Sequence, residues 1–354
     1  MQIGPFADSH IMFDDFTLAT LNLYNFAAPP LAYHQFDNIY TQLQWLQKCD
    51  WITRWVRTAK PQLLAMQEVF SPDALQALCD KCGLPYFVTV AQPQIEGFVA
   101  HQSVVALASS YPLTDVSDVE IDRQLISALG LMDEFVPSRR FLRATTVLPG
   151  IGSTDIYVVH FKSPRSLLTA EDSRLQGVPA LLAGSSLGRW ASIVKRGTEA
   201  ALLYQAMLQR RNHNGHAMVL MGDFNATIDS SEMRALMTDS SRVFTSDIRA
   251  AGLAALDALQ LQQRIGYYRL YDAWELGQQY QPMTDARPVS HFHGASGSAV
   301  DHILLSQEFN GASQHSLGQV KEYRVYDDHL LRPNYQLDAM ASDHTPVTVT
   351  ISLR

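Results

Sequence analysis

Short apolar runs typical of buried strands alternate with longer runs of helical periodicity along the whole chain, and this alternation limits the folds available to it. Residues 38–60 repeat apolar side chains at helical spacing and end at Pro61, as an amphipathic helix does. The runs with strand character are 17–26, 61–70, 154–163, 217–225, 299–306 and 345–353. Strands and helices mixed in this way predict a layered α/β fold.

The chain shows no boundary between domains. No fixed-period repeat, low-complexity tract or linker rich in proline and glycine divides its 354 residues, and 47% of them are hydrophobic, which is enough for a large core. We therefore expect one domain over residues 1–354, with helical insertions around 165–200 and 231–265.

The strand run in 217–225 ends in an unusual way. Its apolar residues stop at Gly222, and Asp223 and Asn225 follow. Side chains two residues apart on an extended chain point the same way, so both would reach into one space beyond the strand. Glycine, aspartate and asparagine also suit an ordinary turn, and this fragment alone favours the turn.

Other strand runs also end or begin beside polar side chains. Each of these has an ordinary explanation by itself, such as a capping acid, a hydrogen-bonded core histidine or a solvated lysine. Together they predict a ligand site where several strand ends meet, because α/β folds collect ligands there. The residues are Asn22, Asn25, Glu68, His160, Lys162, Asp223, Asn225, Asp301, His302, Ser342, Asp343 and His344.

The ordered motifs TLNLYN, MQE, HFKS, MGDFN, VDHILLS and SDHTPV, between residues 17 and 347, resemble those of the endonuclease/exonuclease/phosphatase superfamily, also called deoxyribonuclease I-like. The resemblance implies a four-layer α/β/β/α sandwich, in which two packed mixed β-sheets are flanked by helices. It also implies a divalent metal, usually Mg²⁺ with Mn²⁺ as a substitute, and hydrolysis of a phosphate ester by in-line attack of activated water.

The resemblance also implies a role for each residue of the motifs. Glu68, Asn22 and Asp343 are the implied metal ligands, an oxygen set that suits a hard cation. Asp223 and Asn225 are similar to the pair that orients and deprotonates the attacking water. His344 is similar to the imidazole that contacts the phosphate, Asp301 to the acid that orients it, and His160 to a second histidine found in some branches.

Substrate contacts are predicted for Lys162, Asn25, Ser342 and Arg139. Of the basic cluster 138–143, Arg140 and Arg143 are further candidates for positions near the site. The region 96–109, where many members carry a tyrosine over the phosphate, contains none.

The first functional hypothesis is a nuclease that hydrolyses DNA or RNA phosphodiester bonds, with nucleic acid as the partner. A net charge of −8 argues against a chain that grips a polyanion through its overall field, although local patches remain open. The alternative is a phosphatase or phosphodiesterase for a small phosphorylated molecule or a phospholipid head group, similar to an inositol phosphatase or a sphingomyelinase. A scaffold without activity is disfavoured, because no acidic or histidine position of the motifs is missing.

Three further features lie outside the motifs. Cys49, Cys79 and Cys82 are too few for a disulfide framework, and we expect Cys79 and Cys82 to form the buried end of a helix. His291 and His293 could bind a metal, but packing beside the site is the favoured interpretation.

The first 16 residues lack the basic start and apolar segment of a secretory signal, and no later run has the length of a membrane span, so we expect a cytoplasmic location. The sequence indicates no protein partner.

Overall fold

A computed structural model describes residues 15–131, 135–237, 243–280, 286–294 and 296–354. The strands are β1 (Phe16–Phe26), β2 (Ala32–Tyr33), β3 (Leu63–Val69), β4 (Tyr86–Val88), β5 (Gln94–Glu96), β6 (Val99–Gln102), β7 (Val104–Ser109), β8 (Thr114–Asp118), β9 (Leu142–Leu148), β10 (Gly152–His160), β11 (Ala217–Asp223), β12 (Tyr271–Asp272), β13 (His291–His293), β14 (Ser296–Ser298), β15 (Asp301–Leu305), β16 (Gly318–Val325) and β17 (Val347–Leu353). The helices are α1 (Gln42–Ala59), α2 (Pro72–Lys81), α3 (Arg123–Ala128), α4 (Gly177–Asn214), α5 (Thr245–Ala250), α6 (Ala258–Tyr268), α7 (Ala273–Tyr280) and α8 (Asp328–Leu331). Short 3₁₀ helices span Ala170–Asp172, Ser231–Met233 and Gln307–Phe309.

Two six-stranded sheets form the centre of the molecule. Their strand orders are β16-β17-β1-β3-β7-β4 and β12-β15-β11-β10-β9-β8. Each sheet is antiparallel except for one central parallel pair, β1 with β3 in the first sheet and β10 with β11 in the second. A parallel connection needs a crossover element, and α1 and α4 supply the two crossovers.

The two sheets pack face to face around an apolar interior. Leu18, Leu63, Val158, Val219 and Ile303 are among the fully buried side chains that fill it. Helices cover the outer faces: Trp51 and Ile52 of α1 pack on the first sheet, and Leu203 and Met207 of α4 pack on the second. This arrangement confirms the predicted four-layer α/β/β/α sandwich.

The side-chain alternation along the strands explains where the polar residues go. In β11, Ala217, Val219 and Met221 face the space between the sheets, and Asp223 continues the same series. By the same rule Asn22 follows Phe16 and Leu18, His160 follows Ile156 and Val158, and Asp301 precedes Ile303 and Leu305. Four strands therefore place a polar side chain between the sheets at one edge.

Local boundaries follow ordinary helix chemistry. The helix predicted over 38–60 begins at Gln42, because the Thr41 side chain accepts a hydrogen bond from the Gln44 N–H and caps it. Cys79 is buried near the end of α2, and Gly83 follows with a φ of 84°, as the sequence indicates.

The two expected insertions behave differently. The first becomes the N-terminal part of α4, whereas the second contains α5 and α6 but is not one helix, and its residues 238–242 lie outside the described ranges. The expectation about the start of the chain likewise falls largely on residues 1–14, which are not described. That residues 1–354 form a single domain stays a prediction. Within the described ranges, none of the helices combines the length and apolar character that crossing a membrane requires.

Candidate active site

The carboxyl ends of the two parallel strand pairs meet at one edge of the sandwich. β10 and β11 end in register, with His160 opposite Asp223, and Asp301 of β15 lies opposite Asp223 on the other side. Asn22 near the end of β1 reaches across from the first sheet, and its Nδ2 donates to Asp223 Oδ2 over 3.1 Å. Side chains from both sheets thus converge on one carboxylate.

Asp223 is the centre of this hydrogen-bond network. Its Oδ1 accepts from the Asn225 backbone N–H at 2.8 Å, and its Oδ2 accepts from Asn225 Nδ2 at 3.2 Å. The side chain is almost fully buried, and burial raises the pKa of Asp223 while the neighbouring Asp301 raises it further. The carboxylate can therefore take up a proton more readily than an exposed aspartate.

Backbone packing sets the direction of Asp223. Gly222 has a φ of 150°, and a Cβ there would lie 2.0 Å from the Val159 carbonyl oxygen of the adjacent parallel strand. Only glycine fits this position. The glycine of the GDFN motif is therefore explained by strand packing.

His344 and Asp301 form a buried pair on one side of Asp223. His344 Nδ1 lies 2.8 Å from Asp301 Oδ2, and its Nε2 lies 3.9 Å from Asp223 Oδ2. Burial alone would lower the pKa of His344, but Asp301 and Asp223 outweigh it and raise this pKa to about 10. At neutral pH the imidazole is a cation whose Nδ1–H donates to Asp301.

His160 lies on the other side of Asp223 and differs from His344 in charge. Its Nε2 is 3.4 Å from Asp223 Oδ2, and its buried Nδ1 has no hydrogen-bond partner among the described residues. Burial lowers the pKa of His160 well below its usual value, and the positive charges of Arg139 and His344 add to the effect. One carboxylate is thus flanked by a charged and a neutral imidazole.

The opposite wall of the cleft is built from strained backbone. Tyr24, Asn25 and Glu68 all have positive φ values, of 51°, 59° and 60°; on the Asp223 side, Asn225 also has a positive φ, of 53°. Such conformations are costly for residues other than glycine and concentrate at functional sites. The Asn25 N–H donates to Glu68 Oε2 at 2.9 Å, so the two strained segments hold each other in place.

Several polar atoms around the cleft are buried without a hydrogen-bond partner in the described structure. They include Asn25 Oδ1, Asp301 Oδ1 and Asp343 Oδ1. Unpaired buried oxygens are costly unless a ligand satisfies them. Side-chain atoms that could bind a metal ion also lie within 4.8 Å of one another in two sets. One set is His291, Asp343 and His344, and the other is Asp223, Asp301 and His344.

These oxygens fit a hard divalent cation. Glu68, Asp343 and the Asn25 amide could supply oxygen ligands to Mg²⁺, which binds few protein oxygens and keeps several waters. Glu68 belongs to neither of the two close sets, whereas His291 belongs to one of them. Asn22 is less available than predicted, since its Oδ1 accepts the Tyr24 N–H and its Nδ2 donates to Asp223.

The predicted substrate-binding residues are only partly brought together. Arg139 lies close enough to the cleft for Glu68, Glu199 and Asp223 to influence its pKa, which burial lowers. Lys162 is adjacent, but its Nζ donates to the carbonyl oxygens of Ser163 and Arg165, each at 2.9 Å.

Arg140 and Arg143 are held by ion pairs on the second sheet. They pair with Asp118 and Asp115, both on the edge strand β8, at 2.9 and 3.0 Å. That they lie near the site stays a prediction.

Ser342 holds the last motif in position. Its hydroxyl donates to the Asn22 carbonyl at 2.6 Å and accepts from the His344 N–H at 3.0 Å, which ties the histidine segment to β1. Its predicted contact with substrate stays a prediction.

Three residues absent from the motif set also support the site. His329 Nε2 lies 3.1 Å from the Ser342 carbonyl and 3.2 Å from the His344 carbonyl. The His291 ring stacks on His344 at 4.4 Å, and Glu199 of α4 accepts the Lys162 N–H at 2.7 Å. A glutamate inside the apolar run of a helix was the one sequence signal for Glu199, and His329 had none.

The fold and this arrangement define a class of α/β-sandwich hydrolases that act on phosphate esters and generally use a divalent metal. A family model described as Endonuclease/Exonuclease/phosphatase family matches residues 19–344. The chain belongs to this family. No curated protein matches it in sequence.

Solved structures agree in fold at low sequence identity. The human Nocturnin catalytic domain, solved with a bound sulfate anion, has a TM-score of 0.55 and 15% identity over 96% of this chain and 95% of that one. A Bacteroides vulgatus endonuclease/exonuclease/phosphatase has a TM-score of 0.53 and 16% identity, covering 97% and 100%. A D. rerio TDP2 humanized by 14 mutations has a TM-score of 0.52 and 11% identity, covering 96% and 99%.

Proposed function

We propose that the protein is a Mg²⁺-dependent phosphodiester hydrolase, with a DNA or RNA strand as the first candidate substrate. The observation that carries this proposal is the Asp223 carboxylate between the charged imidazole of His344 and the neutral imidazole of His160. A general base beside a positioned cation is what attack of water on a phosphate ester requires.

Asp223 takes the proton of the attacking water in this proposal. Its raised pKa suits a base that works near neutral pH, and Asn225 holds the carboxylate through two hydrogen bonds. The Asn225 amide is itself fixed, because its Nδ2 also donates to the Phe161 carbonyl at 3.1 Å. Asn22 completes the set and keeps Asp223 from rotating.

His344 stabilises the negative charge that builds on the phosphoryl oxygens. Asp301 keeps it protonated and fixes its orientation, so that Nε2–H points into the cleft beside Asp223. Arg139 adds a second positive charge at the same edge. Neutral His160 is proposed to donate a hydrogen bond without adding charge.

Glu68 and Asp343 would hold the cation, with the unpaired Asn25 oxygen as a further ligand. A bound Mg²⁺ or Mn²⁺ would neutralise charge on the phosphate and so lower the barrier to its hydrolysis. The strained backbone at Asn25 and Glu68 positions these oxygens before substrate binds.

A phospholipid head group is the second candidate substrate. The observation that favours it is an exposed apolar helix face with arginine and lysine side chains, formed by the N-terminal half of α4 close to Lys162. The acyl chains of a membrane offer an apolar interior in which such a face is buried.

Hydrolysis of a substrate panel tests the proposal. Linear DNA, single-stranded RNA, a phosphodiester lipid in vesicles and a set of phosphomonoesters are incubated with the protein and Mg²⁺, with EDTA as the control. Asp223→Asn serves as the matched inactive variant, since it keeps the side-chain shape. Turnover of monoesters alone, or turnover unaffected by EDTA, would rule out the proposed reaction.

A further inference from the structure

Helix α4 is much longer than the sheet on which it packs. Its 38 residues correspond to about 57 Å, whereas the nine residues of β10 extend about 30 Å. The C-terminal half covers the second sheet through Leu203 and Met207. As the crossover between parallel strands, α4 runs opposite to β10, so its N-terminal half projects past the edge where the candidate active site lies.

This projecting half packs against segment 165–170, which follows β10 and the candidate active site. A Cβ at Gly184 would lie 2.3 Å from the Thr169 carbonyl oxygen, and one at Gly188 would lie 1.7 Å from Ser166 Oγ. The Ser192 hydroxyl donates to the Arg165 carbonyl at 2.6 Å. Three small residues, each four positions apart, thus let segment 165–170 lie directly on the helix.

The other side of the projecting half is apolar and exposed. Trp190 is 63% exposed and Leu187 58% exposed, and Val194 continues the same face at helical spacing. Val178 and Leu182 precede Trp190 and Val194 on the same helix row at four-residue steps, with Ser186 between them. Scattered apolar side chains are common on protein surfaces, but a row of exposed ones that includes a tryptophan favours a binding surface.

The charge of this segment is opposite to that of the protein. Residues 173–198 contain Arg174, Arg189, Lys195 and Arg196 and no acidic residue, whereas the whole chain carries −8. Arg196 pairs with Glu232, while Arg174 and Arg189 are exposed. Exposed leucine and tryptophan beside arginine and lysine are typical of helices that lie in a lipid interface.

A groove lies beside this face, along the segment that follows His160. It has a volume of about 380 Å³ and lies between segment 164–170 and α4, with Arg165, Arg189, Leu181 and Ser185 among its lining residues. The Arg165 carbonyl accepts from Lys162 Nζ, two residues after His160. The groove thus offers two arginines for a phosphate beside the apolar face.

We propose that the N-terminal half of α4 docks on an anionic phospholipid surface. The negative charge of such a surface attracts the arginine side chains, and its apolar interior can bury the leucine and tryptophan side chains. A second copy fits less well, because a symmetric dimer would place the positively charged face against itself. Docking itself does not depend on the reaction, but the idea that the lipid is also the substrate rests on the proposed function.

Vesicle flotation in EDTA tests docking without turnover. The metal-free protein is mixed with vesicles of phosphatidylcholine alone or with 30% phosphatidylglycerol, a composition chosen as roughly that of an anionic membrane surface. We expect flotation with the anionic vesicles and a blue shift of tryptophan emission that Trp190→Phe abolishes. Absence of binding to anionic vesicles would overturn the proposal and leave the proposed reaction untouched.

Three variants distinguish docking through α4 from non-specific adsorption to vesicles. Leu187→Ser/Trp190→Ser and Arg174→Gln/Arg189→Gln should each weaken anionic vesicle binding about tenfold or more, since each basic residue near the surface contributes measurably. Tyr335→Ser removes an aromatic side chain that is 84% exposed elsewhere and should bind as the wild type does. Equal binding by all three, or a dimer in light scattering that the Leu187→Ser/Trp190→Ser pair dissociates, would refute lipid docking.

Discussion

Strand β15 passes through two contrasting regions of the molecule. Ile303 and Leu305 lie in the apolar interior between the sheets. Asp301, on the same face two residues earlier, lies at the edge among buried charges. The interior stabilises the fold through burial of apolar surface, while the edge holds unpaired oxygens and strained backbone. Residues two positions apart on one strand therefore serve different purposes: one stabilises the fold, and the other lies in the candidate active site.

The sharpest test at the edge is Asp223→Asn. We expect kcat to fall by about 10²- to 10⁴-fold, because the general base is lost while the amide keeps its shape. The unfolding temperature should fall by only a few degrees, because removal of a buried charge partly offsets the acceptor that the Asn22 and Asn225 amides lose. Steady-state kinetics and calorimetry on the same preparation measure both, and an active Asp223→Asn protein would remove the base assignment.

The matching test in the interior is Ile303→Ala. The free energy of unfolding should fall by about 2–5 kcal/mol, because a fully buried side chain is replaced by a cavity. Well below the unfolding temperature kcat should stay close to that of the wild type. Urea unfolding measures the free energy of unfolding, and steady-state kinetics at 20 °C measure kcat. A large loss of kcat without a loss of stability would break the contrast between the two regions.

Asp301→Asn tests the charge of His344. We expect kcat to fall by about 10²-fold, because the imidazole loses the partner that keeps it charged. The pKa of His344, raised to about 10, should drop toward its usual value of 6.5. Proton NMR of the metal-free protein follows it directly.

The same variant has a consequence for stability. A histidine pKa raised by folding stabilises the protein fully below pH 6.5, and this contribution is lost as the pH rises toward 10. The unfolding free energy of the wild type should therefore decline over this range, and Asp301→Asn should flatten the decline. If the unfolding free energy in EDTA fell equally with pH in both proteins, Asp301 would not be the group that raises the pKa of His344.

The smallest expected effect on stability comes from Asn25→Gly. Glycine adopts the φ of 59° without strain but is more flexible when unfolded, so the unfolding free energy should change by less than about 1 kcal/mol. The affinity for Mg²⁺ should fall, since a proposed ligand oxygen is removed. Metal titration by calorimetry measures this, and unchanged affinity would exclude Asn25 from the cation site.

The sequence by itself determined which side chains stand at the strand ends. The two-residue period along 217–223 places Asp223 on the inward face, and the same period places Asn22, His160 and Asp301. These local rules predict a layered α/β fold and the grouping of the polar residues, whereas the four-layer sandwich was implied by the resemblance of the ordered motifs to the family.

Only the tertiary structure decided how these residues meet. Arg140 and Arg143 belong to the same basic cluster as Arg139, yet they pair with acids of a neighbouring strand. His329 lies far from any motif but contacts the backbone of Ser342 and His344. The positive φ values at Asn25 and Glu68 and the projection of α4 beyond its sheet also arise from packing between distant segments. Local periodicity carries no information about such contacts, because they depend on which surfaces meet after the chain has folded.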